Sequence, residues 1–291
     1  MSEGSPDLEP LQPTVSEKKP EREGLPSGYR MRADAHYVDQ LAGRRGERVY
    51  SDQSRTAASF DADTPEPAPR DRRDVRERRS DRVLAHLAEE VSAIEAAGAL
   101  WRNPGQSQRR LAADLLQVHT GRAAWLTGAN TLLEGSSRGT VTGKSIGTLL
   151  MQVRESLATE CRMAGVALNL DVDDWNARGL VYETEFKLGV AGAIRALLAA
   201  IPDVESAVIR MNATVTDEAL QVIEISQDVV QMPAASGRFF DLTWTDRPGG
   251  WMAAFAASVA RAFVQRDGGS AVFVPGDRRG ATIRLVLPPT N

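Results

Sequence analysis

The spacing of apolar residues changes once along this chain, and the change limits the folds that the chain can adopt. Between residues 80 and 134, apolar side chains recur every three or four residues, which is the spacing of amphipathic helices. After a stretch rich in glycine and serine at 135–143, short alternating segments typical of β-strands appear between apolar helical segments. The sequence therefore predicts a helical region followed by a region of helices and strands.

The helical region divides into two long helices at Asn103-Pro104-Gly105, a strong helix breaker. We expect Ser80 to cap the first helix, which should end near Trp101. Its apolar stripe consists of Val83, Leu84, Leu87, Val91, Ile94 and Leu100. The second helix should run from about Gln106 to Leu133, with a coiled-coil seam that Arg122 interrupts. Because two antiparallel helices cannot bury both apolar faces alone, residues 80–134 predict a hairpin that dimerises into a four-helix bundle.

The second region is expected to alternate between helices and strands. Helices are predicted at 146–164, 185–200 and 250–265. Strands are predicted at 166–172, 207–213, 220–225, 239–244, 271–274 and 281–287. This order predicts an α+β sandwich in which helices cover one face of an antiparallel sheet.

Residues 1–79 are expected to be mostly disordered, because they are polar and rich in proline and charge. A short amphipathic helix is predicted at 29–41, and it is too short to be stable alone. We expect it to dock on its own chain or on a partner. The candidate contact residues are Tyr29, Met31, His36, Tyr37, Val38 and Leu41. The mixed-charge run at 70–79 is expected to lead from a linker into a solvated helix start.

The composition excludes several classes of protein. Hydrophobic residues make up 42% of the 291 residues and the net charge is -4, which gives no reason to expect a nucleic-acid partner. The single cysteine, Cys161, rules out an intramolecular disulfide and is expected to be buried. We find neither an apolar run long enough for a membrane span nor a secretory signal, so a cytoplasmic protein is expected.

Three stretches of the second region form a recognisable set. They are LVYETEFKLGVAGAIRALLAAI at 180–201, IEISQDVVQMP at 223–233 and GGWMAAFAASVARAFVQRDGG at 249–269. With the closing strand at 281–288, they resemble the ATP-binding domain of sensor histidine kinases, over residues 146–288. The hairpin at 80–134 resembles, more loosely, the dimerisation and phosphotransfer domain of the same family. The resemblance implies the fold shared with gyrase and a role in bacterial two-component signalling.

In the family, an asparagine of the first stretch helps to hold the magnesium ion of the nucleotide. The matching position here is Arg195, and an arginine cannot coordinate a cation. The family's aspartate and two glycines of the second stretch fall on Gln227, Val229 and Gln231. Asp228 is the residue after Gln227, and on a strand its side chain would lie on the opposite face.

The glycines of the family's phosphate-binding lid fall on Ala254 and Ala256, which are expected to lie within a continuous helix. All three motifs are altered while the apolar residues around them are kept. The resemblance therefore implies a degenerate site that holds no cofactor, or ATP and magnesium only if the site is divergent and not lost. No set of histidine, cysteine and acidic residues has the spacing of metal ligands.

A histidine kinase also carries a phosphoacceptor histidine on the first helix of its bundle. Alignment places Ala85 at that position and His86 one residue later, with Glu89 and Glu90 close enough to orient the ring. His119, on the second helix, is the second candidate. Either histidine can instead be an ordinary surface or interface residue.

Three functions remain open at this point. The first is a dimeric, non-catalytic regulator or adaptor that binds a response-regulator receiver domain or a histidine kinase. The second is a histidine phosphotransferase that relays phosphate through His86 to a receiver domain. The third is a divergent but active histidine kinase.

Overall fold

A computed structural model describes residues 69–102, 105–136, 141–175, 177, 181–202, 207–216, 219–229, 236–276 and 279–288. The short helix predicted at 29–41 and its candidate contact residues lie outside the described residues, as does Gln231.

Two long helices, α1 (Pro69–Arg102) and α2 (Gln106–Leu133), form the hairpin. The second helix has the predicted bounds. The predicted start of the first helix is wrong, because α1 begins at Pro69 and Ser80 lies inside it. The boundary at residue 79 between disordered segment and hairpin moves accordingly. The arginines of the charged run are good helix formers, and its two aspartates and one glutamate place opposite charges at helical spacing, so the run extends the helix.

The second region contains three further helices, α3 (Ile146–Met163), α4 (Glu183–Leu198) and α5 (Gly250–Arg266). Its sheet has five strands in the order β2-β4-β5-β7-β6. Their bounds are Val166–Val172 for β2, Ala207–Val215 for β4, Gln221–Gln227 for β5, Ser270–Pro275 for β6 and Ala281–Leu287 for β7. Two short strands, β1 (Val141–Thr142) and β3 (Val181–Tyr182), pair with each other and were not predicted, since two residues give no periodic signal.

The sheet is mixed, which corrects the prediction of an antiparallel sheet. Strands β2 and β4 are parallel, whereas the other neighbouring strands are antiparallel. The reason is that α4 lies between β2 and β4 in the chain, and a helical crossover returns the chain in the same direction. Alternate residues of β5 and β7 are buried under the helices. The α+β class with a helical hairpin is confirmed by these elements.

The strand predicted at 239–244 is wrong. A 3₁₀ helix at Ser236–Arg238 precedes this segment, and residues 239–244 form turns and irregular backbone. Phe239 and Phe240 are both buried, and the ring of Phe239 stacks on that of Phe273 at 3.8 Å between centroids. The aromatic residues that suggested a strand therefore fill the core from an irregular segment.

The seam of α2 packs against its own α/β region. Leu126 and Ala129 are fully buried, and the indole nitrogen of Trp125 donates a hydrogen bond of 3.1 Å to the carbonyl oxygen of Leu188 on α4. The apolar face of α2 is therefore covered within the same chain, without a second hairpin. The stripe of α1 is covered only in part: Val83 is buried, whereas Leu84 and Val91 keep 64% and 51% of their surface exposed.

Candidate functional site

Helices α4 and α5 pack against each other with unusually close backbones. A Cβ atom on Gly192 would lie 2.7 Å from the carbonyl oxygen of Ala256, and one on Gly189 would lie 2.4 Å from the ring of Phe263. The crossing therefore depends on the missing side chains of two glycines.

Helix α5 occupies the stretch in which the lid glycines of the resembled family fall. Ala254 is fully buried, Ala256 is 1% exposed, and both lie within a helix that is continuous from Gly250. The chain enters α5 through a sharp turn, in which Gly249 and Gly250 have φ angles of 81° and 59°. The continuous helix predicted over Ala254 and Ala256 is confirmed.

Gln227 lies at the end of β5 and satisfies its amide locally. Its side chain is buried, and its Oε1 accepts a hydrogen bond of 2.8 Å from the backbone nitrogen of Val229. Asp228 points to the other face, where it forms an exposed ion pair of 3.3 Å with Arg210. Close by, a Cβ atom on Gly280 would lie 2.5 Å from the carbonyl oxygen of Gln227.

Arg195 is the centre of a buried ion-pair network. Its Nη2 lies 2.7 Å from Oε2 of Glu160 on α3, and its guanidinium carbon lies 4.7 Å from the centre of the Trp125 ring. Arg122 of α2 donates from Nε to Oε1 of the same carboxylate at 2.9 Å. Burial by itself would raise the pKa of Glu160, but the charges and hydrogen bonds of the two arginines lower it to about 2. Glu160 is therefore ionised throughout the physiological range.

The network continues into the hairpin. Nη1 of Arg122 lies 3.9 Å from Oε1 of Glu90 on α1, and Oε2 of Glu90 lies 2.6 Å from Nδ1 of His119 on α2. His119 thus lies at the interface of the two helices. The chain of charges joins α1, α2, α3 and α4. Beside it, burial raises the pKa of Cys161 to about 12, so this thiol stays protonated.

His86, on α1 of the hairpin, packs against α5. Its ring stacks on Trp251 with centroids 4.9 Å apart and planes 10° apart, and Nδ1 lies 2.9 Å from Oε2 of Glu89. Trp251 in turn stacks on Phe255. Of the two glutamates proposed to orient His86, Glu89 does so and Glu90 contacts His119 instead.

A cavity of about 330 Å³ lies where the hairpin meets the α/β region. His86, Glu89, Glu90, Arg122 and Trp125 line it from the hairpin, and Glu160, Ala164, Val166, Arg195, Leu198, Ala199, Ile201, Pro202, Gly249 and Met252 line it from the α/β region. Of the described candidate nucleotide residues, Arg195 lines this cavity, whereas Gln227, Asp228, Val229, Ala254 and Ala256 do not.

Sequence reasoning missed Glu160, the carboxylate that joins Arg195 and Arg122. The sequence feature that could have identified Glu160 is its charge at a position on the apolar stripe of α3, one turn after Leu157 and next to Cys161. A carboxylate on an apolar stripe indicates a buried partner, but the partner is distant in sequence and only the fold identifies it.

No model of a known protein family matches this sequence, and no curated protein matches it. Solved structures similar to this one are those of histidine kinases. The catalytic domain of the histidine kinase ThkA is 14% identical, with a TM-score of 0.44 over 52% of this chain and 98% of that domain. The histidine kinase AdeS of Acinetobacter baumannii is 9% identical, with a TM-score of 0.46 over 71% of this chain and 98% of that chain.

A structure of ThkA in complex with the response regulator protein TrrA is also similar, at 15% identity and a TM-score of 0.48, over 76% of this chain and 64% of that chain.

None of the described helices combines the length and the apolar character that crossing a bilayer requires. Among the residues that the structure describes, no group of three or more histidine, cysteine, aspartate or glutamate side chains is arranged to hold a metal ion.

Proposed function

We propose that this protein is a histidine-kinase-like regulator of two-component signalling that does not bind ATP. In this proposal it forms a homodimer and acts by binding a receiver domain or a histidine kinase. The resemblance of the sequence to sensor histidine kinases supports the signalling role, and the altered motifs support the loss of catalysis.

The observation that carries the proposal is the direct packing of α4 on α5. In the resembled family these two elements carry the magnesium-binding asparagine and follow the phosphate-binding lid. Here Gly192 touches the backbone at Ala256, and Arg195 is committed to Glu160. The crossing of α4 and α5 is therefore closed by the protein itself and the charge of Arg195 is paired with Glu160, which leaves little room for a triphosphate between these two helices.

The exposed stripe of α1 is the surface that supports a dimer. Leu84, Val91 and Trp101 are each more than half exposed, and Leu84 and Val91 lie seven residues, or two helical turns, apart on α1. An exposed apolar stripe of this length is typical of an interaction surface. A second copy supplies an identical stripe, as a two-fold symmetric dimer requires.

The alternative of a histidine phosphotransferase is favoured by one observation. His86 remains 29% exposed, and its Nδ1 contacts Glu89, so a carboxylate is in place to orient the ring. Transfer would break the bond between phosphorus and the aspartate oxygen of the receiver and form a bond to a nitrogen of His86. The stack on Trp251 opposes it, because a phosphorylated ring would have to leave that contact.

One experiment separates the regulator from the phosphotransferase. The full chain is incubated with a receiver domain phosphorylated on its aspartate, and acid-labile phosphate on the chain and binding of the receiver are both measured. The regulator predicts binding without transfer. Transfer that is lost in His86→Ala and kept in His119→Ala would establish the phosphotransferase.

A further inference from the structure

We propose that the cavity between the hairpin and the α/β region binds a small amphipathic molecule with a single carboxylate. The proposal does not depend on the regulator function, because it concerns this cavity alone. A volume of about 330 Å³ lies at the lower end of the range of small-molecule sites.

The hydrogen-bonding capacity of the cavity points to an acceptor on the ligand. Arg195 uses Nε and Nη2 for the carboxylate of Glu160, which leaves its Nη1 without a hydrogen bond among the described residues. Guanidinium groups donate only, and they prefer the planar pair of oxygens of a carboxylate. The carboxylate of Glu160 already accepts from both Arg195 and Arg122 and has little capacity left.

The charges limit the ligand to one negative group. At one end of the cavity, the guanidinium groups of Arg195 on α4 and Arg122 on α2 both contact the carboxylate of Glu160, while Arg122 also lies 3.9 Å from Glu90. On the side of α1, Glu89 and Glu90 line the same cavity. A compact carboxylate beside Arg195 avoids these glutamates, whereas an extended polyanion such as a nucleoside triphosphate is repelled by them.

The remaining wall is apolar and fits a hydrocarbon body. It is formed by Ala164, Val166, Leu198, Ile201, Pro202 and Met252. A ligand with an aliphatic or aromatic body of a few carbon atoms gains free energy by leaving water for this wall. The bound molecule would contact helices of the hairpin and of the α/β region at once, and it would therefore stabilise the way in which the two regions pack together.

The test is isothermal titration calorimetry of the full chain with 3-phenylpropanoate, and with the neutral 3-phenylpropan-1-ol as the matched probe. We expect the acid to bind with a Kd below about 1 mM and the alcohol to bind at least about tenfold more weakly. In Ala164→Phe the added ring fills the cavity, and binding of the acid should be lost. Ala113→Phe adds the same ring at an exposed position of α2 and should leave binding unchanged.

Where Ala164→Phe does not fold, as judged by circular dichroism, Arg195→Lys takes its place. Lysine keeps the charge beside Glu160 but lacks the two-pronged donor, so the Kd for the acid should rise at least about tenfold. The proposal is wrong if the acid gives no saturable binding, if the alcohol binds equally well, or if binding of the acid is unchanged in the folded variant.

Discussion

At the scale of single residues, the buried carboxylate of Glu160 is the group whose environment most affects stability. It is 4% exposed and contacts both Arg195 and Arg122. Removing one member of a buried ion-pair network leaves the other charges without compensation, which typically costs about 3–5 kcal/mol. The network therefore makes the fold sensitive to the charge at one position.

The pKa of Glu160 in the folded protein is about 2, below its ordinary value of 4.5. A carboxyl group with a lowered pKa stabilises the fold fully above the unfolded pKa, and this contribution is lost as the pH falls from 4.5 towards 2. The contribution is roughly 3 kcal/mol. Urea unfolding of the wild type should therefore show a decline in the free energy of unfolding across this acidic range.

In Glu160→Gln this part of the decline should be absent, and the variant should be less stable than the wild type by about 3 kcal/mol at neutral pH. Asp228→Asn serves as the control, because the ion pair of Asp228 with Arg210 is exposed and should change stability by less than about 1 kcal/mol. Equal acid sensitivity of Glu160→Gln and the wild type would contradict the role of this carboxylate.

At the scale of elements, the crossing of α4 and α5 makes a prediction that helix propensity alone would reverse. Alanine is the better helix former, by about 1 kcal/mol over glycine. Yet Gly192→Ala places a Cβ atom 2.7 Å from the carbonyl oxygen of Ala256, so the helices must move apart. We expect this variant to be destabilised by about 1–3 kcal/mol in urea unfolding.

Gly121 provides the matched control, since it lies within α2 and a Cβ atom there has nothing within 4 Å. Gly121→Ala should be as stable as the wild type or more stable, by up to about 1 kcal/mol. If both alanine variants were stabilised to the same extent, the close approach of α4 and α5 would not exist.

The elements with strong periodic patterns could be predicted from the sequence. Strands β2 and β7 have the bounds that their alternation indicated, and α2 runs between a breaker and the end of its apolar seam. Local patterns failed where they matched two structures: Ser80, which matched a helix cap, lies inside α1, and the aromatic residues at 239–244 pack from turns. The partners of Glu160 could not be predicted, because they come from helices that are distant in the chain.

The candidate site likewise contains some features that local sequence patterns could predict and others that depend on tertiary packing. Ala254 and Ala256 could be placed in a continuous helix, because no glycine or proline interrupts the residues between them and Arg266. The cavity and the stack of His86 on Trp251 depend on how the hairpin packs against α5, and no local pattern contains that information.

At the scale of the whole molecule, the exposed stripe of α1 predicts that two chains associate. Replacing Val91, which is 51% exposed, by aspartate puts a charge into the proposed seam, so the homodimer should dissociate. Light scattering after size-exclusion chromatography should give twice the mass of 31.5 kDa for the wild type and the single mass for Val91→Asp. Val272→Asp, at a 45% exposed position of the sheet, should remain dimeric. A monomeric wild type would exclude this dimer.

We propose that the whole molecule keeps a histidine-kinase-like fold while its own side chains fill the nucleotide site. The decisive measurement is a titration of the full chain with a fluorescent ATP analogue in the presence of magnesium. We expect no saturable binding up to about 1 mM. Saturable binding with a Kd below about 1 mM, competed by unlabelled ATP, would contradict it and would restore the divergent active kinase as the better interpretation.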